Sequence, residues 1–290
     1  MCAELLWILE GSNDVEFIGH YNSIWKRFTD DGETLNGAYG KRIFGWDSGI
    51  RREIGIETKE DGSQNEITQY NHVTINQFQE AYNQLKKDPD TRQATIVFFD
   101  PYLDYTDTKD KPCTNLIRFM IRDGKLNMTT FMRSNDIWLG YPYDVFNFTM
   151  LQEIMAGMLG IEVGKYTHIA DSFHIYEMHF ETAQKLIEEK EEELLYSEKL
   201  IDARIDENDI GNEFDKAFNV EYTSRTNTQV DIEILTKILD EIKNDYLRSI
   251  SAVLALYNFR KYGRTQEEMD ILKGYISNEF KILTSNWVAK

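Results

Sequence analysis

The chain has very little cysteine: Cys2 and Cys113 are its only thiols in 290 residues. Two thiols make no disulfide framework, so packing must hold the fold, and this usage fits a reduced, cytoplasmic protein. Proline is scarce, at four residues, and leaves long stretches free for helices and strand ladders. No apolar run approaches the roughly 20 residues of a membrane-spanning helix, and no basic start leads into a short apolar signal segment. Positive charge is also short. Lys and Arg number 32 against 50 Asp and Glu, a net charge of −18. That balance excludes a nucleic-acid surface, which needs a basic stripe, and gives no reason to expect a membrane partner. It leaves room for a small anion, because exposed charges are screened beyond about 8 Å at physiological salt and a few local arginines suffice. There is no internal repeat, low-complexity segment or metal-ligand set.

What is present reads as an α+β chain. It opens on a helical pattern of Leu5, Leu6, Trp7, Ile8 and Leu9. No capping sequence precedes this helix, so an N-terminal element is expected to be missing. Residues 14–30 predict a second short helix, and Gly- and Asp-rich loops follow. Residues 75–87 space Phe78, Ala81, Tyr82 and Leu85 as a helix, which "DPDT" then breaks. Residues 92–100 predict a strand. Two alternating runs around Asp123-Gly124 predict a hairpin over 115–134. "YDVFNFTMLQEIMAGMLG" predicts a helix with a core-facing methionine stripe and a C-terminal stop at Gly160. "GKYTHIADSFHIYEMH" predicts a strand leading into a helix. Beyond about residue 190 the character changes. "EEKEEELL" (188–195) reads as the solvated face of a helix, and helical spacing recurs over 230–247, 249–262 and 265–287. Two parts are expected: a catalytic region, 1–190, and a helical C-terminal extension, 191–290, with no motif tied to chemistry.

The chemistry-bearing stretches are "PCT" and "RSNDIWLGYPYDVF". A thiolate is strongly nucleophilic and a good leaving group, and nearby cations lower its pKa. Arg133 is available for that, and arginine's fork also suits a phosphate. "ELLWILEGSND", "NSIWKRF", "YGKRIFGW", "QLKKDPDTRQ", "PCT", "RSNDIWLGYPYDV" and "HIYEMH" occur in the order, and near the spacing, of the thymidylate synthase family. The chain resembles that family over roughly residues 3–180, while the helical tail does not resemble its usual C-terminal part.

The resemblance implies an α+β fold: a twisted mixed sheet flanked by helices, one sheet face used for dimerisation. It implies that Cys113 attacks C6 of a pyrimidine, that Glu4 organises proton-transfer waters, and that Tyr39 helps remove the C5 proton. Arg133, Ser134 and Asp136 match substrate-binding positions. Arg92 matches an arginine donated across the interface of a homodimer, although Gln93 stands where a second arginine is usual. His174 and Tyr176 match a pair that holds the sugar hydroxyl. Trp25, Asp136, Leu139 and Gly140 match the cleft for 5,10-methylenetetrahydrofolate, the implied co-substrate. Asp144 departs from the family pattern, where asparagine reads uracil. Cytosine reverses that donor and acceptor order, and an aspartic acid fits it. The same change marks the cytidylate 5-hydroxymethylase branch of the family. The local alternative for Asp144 is a helix N-cap.

The expected activity is therefore C5 hydroxymethylation of a cytidine or deoxycytidine monophosphate. The alternatives are thymidylate synthesis, deoxyuridylate hydroxymethylation, or a non-catalytic nucleotide-binding homologue. The expected site of action is the cytoplasm, including a host's cytoplasm for a phage-encoded chain.

Overall fold

A computed structural model of the chain describes residues 1–59, 62–188 and 201–285. It begins with α1 (Cys2–Leu9), whose side chains from Leu5 to Leu9 are all buried. A helix apolar on every side belongs in the middle of a fold, and α1 packs against α2 (Val15–Tyr21) and α3 (Tyr39–Phe44). The Asp14 carboxylate caps α2 by accepting from Glu16 N and Phe17 N, so the segment read as one helix over 14–30 starts where its cap dictates. It is interrupted at Asn22, and a 3-10 turn over Ser23–Arg27 carries Trp25.

A long two-stranded ribbon follows, β1 (Trp46–Thr58) and β2 (Gln64–Ile75), in a stretch that reads as loop from its Gly and Asp content. Next come α4 (Gln77–Lys87), β3 (Thr95–Val97) and the single turn α5 (Pro101–Asp104). The strand expected over 92–100 is only these three residues. Two long strands then pair as a hairpin, β4 (Thr114–Arg122) and β5 (Lys125–Asp136). Their turn is the expected Asp123-Gly124, with φ of 53° and 71°, the left-handed pair that a tight hairpin needs. The helix α6 (Tyr141–Leu159) ends at Gly160, φ 65°, and returns the chain to β6 (Glu162–His174), parallel to β5. The sheet order is β3-β4-β5-β6, mixed, with α6 and α4 packed on it. Buried Phe98, Phe119 and Phe148 lie at the centre, each contributing about 2–3 kcal/mol of transfer free energy.

A short α7 (Phe180–Glu188) closes this part, and most of the charge run 188–195 lies outside the described residues. The remaining elements are α8 (Ile210–Thr226), α9 (Ile232–Glu241), α10 (Asp245–Lys261), α11 (Gln266–Lys273) and α12 (Asn278–Ser285). The pattern over 230–247 is therefore two helices. The break is tertiary: Asn244 caps α10 through Leu247 N, and its own N–H donates to the buried Glu213 carboxylate at 2.8 Å. The stretch 265–287 also divides, after Lys273. The helices α8 and α10 pack on α1, so the C-terminal part shares one hydrophobic core with the sheet. The segment before α8 runs so close to α6 that a Cβ at Gly157 would lie 2.4 Å from Ile205 N.

Candidate active site

Four ionisable side chains converge from four separate places: Glu4 on α1, Tyr39 at the start of α3, Cys113 just before β4, and Asp144 in the first turn of α6. Each electrostatically perturbs others in the group: Asp144, Cys113 and Glu4 act on Tyr39, and Glu4 acts on Asp144. Close glycine contacts bring them together. A Cβ at Gly40 would sit 2.7 Å from Ile8 O, so glycine lets the Tyr39 end of α3 meet α1. A Cβ at Gly37 would sit 3.0 Å from Pro112 N, and Gly37 N donates to Asp110 at 2.7 Å. That bond holds the segment leading to Cys113 against the segment leading to Tyr39.

The Tyr39 ring stacks on Phe148 and meets Phe98 edge-on. Its hydroxyl accepts from Thr114 Oγ1 at 2.9 Å, one residue from the thiol. The strand pairing slips between Thr114 and Leu116, an irregularity just beyond the Cys113 thiol. The Arg133 N–H donates to Cys113 O at 2.9 Å, and its guanidinium donates to the carbonyls of Pro112 and Lys111, both at 3.1 Å. Arg133 is thus locked beside the thiol with much of its head in solvent. It lowers the Cys113 pKa as the residue types suggest. Burial outweighs it, helped by Asp144 and Asp110, so the net direction is upward. The sequence expectation of a thiol lowered overall by its cation is corrected: in this state it is held as the thiol.

Asp144 is 9% exposed. It caps nothing: the N-cap of α6 is Gly140, and no side chain bonds the helix start. Its Oδ2 accepts from Asn135 Nδ2 at 2.6 Å, and it has no ion-pair partner among the described residues. Burial, reinforced by Glu4, pushes its pKa up to about 8. Burial likewise raises Glu4 above the usual carboxylate range. The N-terminal ammonium and the Asn147 amide partly offset this for Glu4 but not for Asp144, so Asp144 holds the proton of the pair at neutral pH. The Asn147 amide, one turn beyond Asp144, is buried beside Glu4, whose carboxyl it helps hold down, without reaching full hydrogen-bond geometry.

The other expected residues sit around this centre. Ser134 and Asp136 end β5, paired with Ser172 and His174 of β6. Both oxygens of Asp136 are engaged, accepting from Trp138 N at 3.1 Å and Leu139 N at 2.9 Å, so Asp136 shapes the turn that enters α6. His174 is the last residue of its strand and Tyr176 lies beyond it, yet their rings meet edge-on at 5.1 Å. Trp25 is half-buried and lies 6.0 Å from Trp7, centroid to centroid, while Leu139 is 51% exposed. Arg92 is exposed in the loop between α4 and β3 and makes no hydrogen bond or ion pair with a described residue. Sequence reading missed Asn135, Asn147 and the pair Tyr166 and His168, which extends the hydrogen-bond chain from Asp144. Asn135 sits inside "RSND", between two residues that were picked out, and its polarity in a strand was the available signal.

A thiol just before a strand of a mixed sheet flanked by helices, within electrostatic reach of a buried carboxyl, sets the chain beside one known family. The family model described as Thymidylate synthase matches residues 1–210, and the chain belongs to the thymidylate synthase family. A curated relative, the deoxyuridylate hydroxymethyltransferase of Bacillus phage SP01, is 37% identical over 177 residues, 60% of this chain and 42% of its own length. The chain thus spans less than half of that relative. Among solved structures, the thermostable thymidylate synthase A from Bacillus subtilis superposes with a TM-score of 0.50 at 26% identity, covering 66% of this chain and 62% of that one.

Proposed function

We propose that the protein hydroxymethylates C5 of a cytidine or deoxycytidine monophosphate, with 5,10-methylenetetrahydrofolate as one-carbon donor and water as the final nucleophile. The observation that carries this reading is Asp144: a carboxyl buried beside Glu4, without a cation and without a capping role, within electrostatic reach of the Cys113 thiol. As a neutral acid it offers one acceptor and one donor, which suits N4–H₂ and N3 of cytosine.

Cys113 loses its proton and adds to C6, which makes C5 an enamine carbon. The phosphate of the bound nucleotide interacts with Arg133, and Asp144 shares its proton with N3, drawing electrons from the ring. The co-substrate supplies the electrophilic carbon that C5 attacks. Tyr39, within reach of Cys113 and Asp144, takes part in removing the C5 proton, and Glu4 orders the waters that carry it. Water adds to the exocyclic methylene as the thiolate leaves C6, so the products are the 5-hydroxymethyl nucleotide and tetrahydrofolate. The half-buried Trp25 and the exposed Leu139 suit a flat pterin edge, with Asp136 and Gly140 shaping the turn beside it. Ser134 joins the phosphate site, and His174 and Tyr176 hold the sugar. A homodimer completes the site: Arg92 has no partner among the described residues of its own chain, which supports its donation to a second copy. Exposed Ile169 and Phe173 on β6 support the sheet as the surface that pairs.

Deoxyuridylate is the second reading, favoured by the printed name of the phage relative. One experiment separates them. Deoxycytidylate, cytidylate and deoxyuridylate are each incubated with methylenetetrahydrofolate and the products weighed by mass spectrometry. A hydroxymethyl gain on a cytidylate is expected. Faster turnover of deoxyuridylate overturns the base assignment, and unchanged nucleotides in all three reactions overturn the activity.

A further inference from the structure

Asn135 does not share the inward face that alternation along β5 predicts. Leu126, Met128, Thr130 and Met132 turn inward in strict alternation, then the phase slips, and Asn135 rather than Ser134 is the next buried residue, 3% exposed. Its Nδ2 donates to Asp144 Oδ2 at 2.6 Å. Its Oδ1 meets His168 Nε2 at 3.1 Å, and His168 Nδ1 meets the Tyr166 hydroxyl at 2.7 Å. Burial pushes the His168 imidazole below its ordinary value, so one ring nitrogen donates and the other accepts. With Asn135 donating to Asp144, one order fits: Tyr166 O–H to Nδ1, Nε2–H to Oδ1, Nδ2–H to Oδ2. Every donor points toward Asp144. Gly140 leaves the space for this, since a Cβ there would lie 2.9 Å from Asn135 Nδ2.

A neutral carboxyl is ambidextrous. Moving its proton from one oxygen to the other converts a partner for cytosine into a partner for uracil. A carbonyl oxygen accepts better than an acid hydroxyl, so an N–H fixed on Oδ2 disfavours the tautomer with the proton there. We propose that Asn135, oriented by His168 and Tyr166, is a positioning residue that decides which oxygen of Asp144 donates and which accepts, and so confines the site to one base. This inference rests on Asp144 as the base-reading residue. The groups that face Asp144 are Glu4 on α1, Tyr39 on α3, Cys113 before β4, Asn135 on β5 and Tyr166 on β6; Arg133 acts on Cys113 rather than on Asp144.

The test is kcat/KM for deoxycytidylate and for deoxyuridylate in the wild type, Asn135→Ser and His168→Phe, with melting curves to show that each is folded. The ratio of the two values should fall toward unity by about 10-fold or more in Asn135→Ser, and by less in His168→Phe, where the amide remains but loses its orienting partner. His168→Phe carries the test alone if the serine variant does not fold. A ratio unchanged in both variants overturns the proposal. Turnover of neither nucleotide by the wild type overturns the functional reading instead, and the carboxyl ¹³C titration of Asp144 then decides the link to Asn135. Loss of a donor that favours the ionised form should move that titration to higher pH in Asn135→Ser. An unmoved titration overturns the proposal independently of turnover.

Discussion

Buried carboxyls occur in both halves of the molecule, and those of the candidate site are treated unlike the ones in the helical part. In α8, Glu221 accepts from Arg225 Nε and from the Tyr21 hydroxyl, each at 2.7 Å, and Glu213 accepts from Lys216 and from Asn244 N. Each has a cation and a second donor. In the candidate site a single amide serves the buried Asp144, with no cation among the described residues, while Glu4 is eased only by the N-terminal ammonium and the Asn147 amide. Burial raises Glu221 too, but Arg225 and Tyr21 draw it back, whereas Asp144 is left to rise to about 8. The helical part spends its buried charge on holding the tail to α2. In the sheet part the fully buried Asp104 is likewise paired, accepting from Arg42, Asn36 and Asp100 N. It is the candidate site that leaves Asp144 short of partners, the condition in which a carboxyl exchanges protons with a ligand.

Four substitutions or titrations sharpen or break this contrast. The largest effect is expected at the thiol. Cys113→Ser should lower turnover by roughly 10³-fold or more while leaving the melting temperature unchanged, measured by product mass and circular dichroism. In the other half, Arg225→Met leaves Glu221 buried without its cation. It should cost about 3–5 kcal/mol in denaturant unfolding, without altering the preference between bases. Asp144→Asn restores a side chain whose donor and acceptor cannot exchange. It should move the kcat/KM ratio toward deoxyuridylate by about 10²-fold.

The smallest effect is on stability against pH. Asp144 binds its proton up to about pH 8 when folded, and releases it near 4 when unfolded. Between those values the folded state binds more protons, so stability should fall as pH rises, by at most about 1.4 kcal/mol per pH unit from this group. Asp144→Asn should flatten that slope and be the more stable form at pH 8. A wild type whose melting temperature rises from pH 5 to 8, with Asp144→Asn parallel to it, contradicts the assignment of the proton.

Much of the sheet half was legible because its signals are local. Asp123-Gly124 names its own turn, Gly160 its own helix end, and the thiol and Asp144 sit in compact motifs. The ribbon β1–β2 was not, because two strands that pair with each other leave no alternation strong enough to stand out from Gly- and Asp-rich sequence. The break at residues 242–244 was hidden for another reason. Helical spacing runs on through it, and the interruption is satisfied largely by tertiary partners, Glu213 accepting from Asn244 N and Lys216 donating to Glu241 O. Asn135 lay out of sight because strand alternation assigns its neighbours to the inner face. The burial phase changes after Met132, and Asn135 is enclosed where Gly140 packs against it. The sign of the Cys113 shift was misjudged for a related cause: Arg133 is visible in the motif, whereas the depth of the thiol and the nearness of Asp144 are properties of the assembled fold.

The central claim is that a sulfur bonds transiently to the ring while a carboxyl selects that ring. Thiolate addition at C6 makes C5 basic with no folate present, so C5 should take up solvent hydrogen and release its own. Deoxycytidylate dissolved in D₂O with the enzyme, followed by proton NMR, reads this directly. Loss of the H5 signal with wild type, absent with Cys113→Ser and slower for deoxyuridylate, is the predicted result. An H5 signal that persists with wild type, or fades equally with Cys113→Ser, contradicts it.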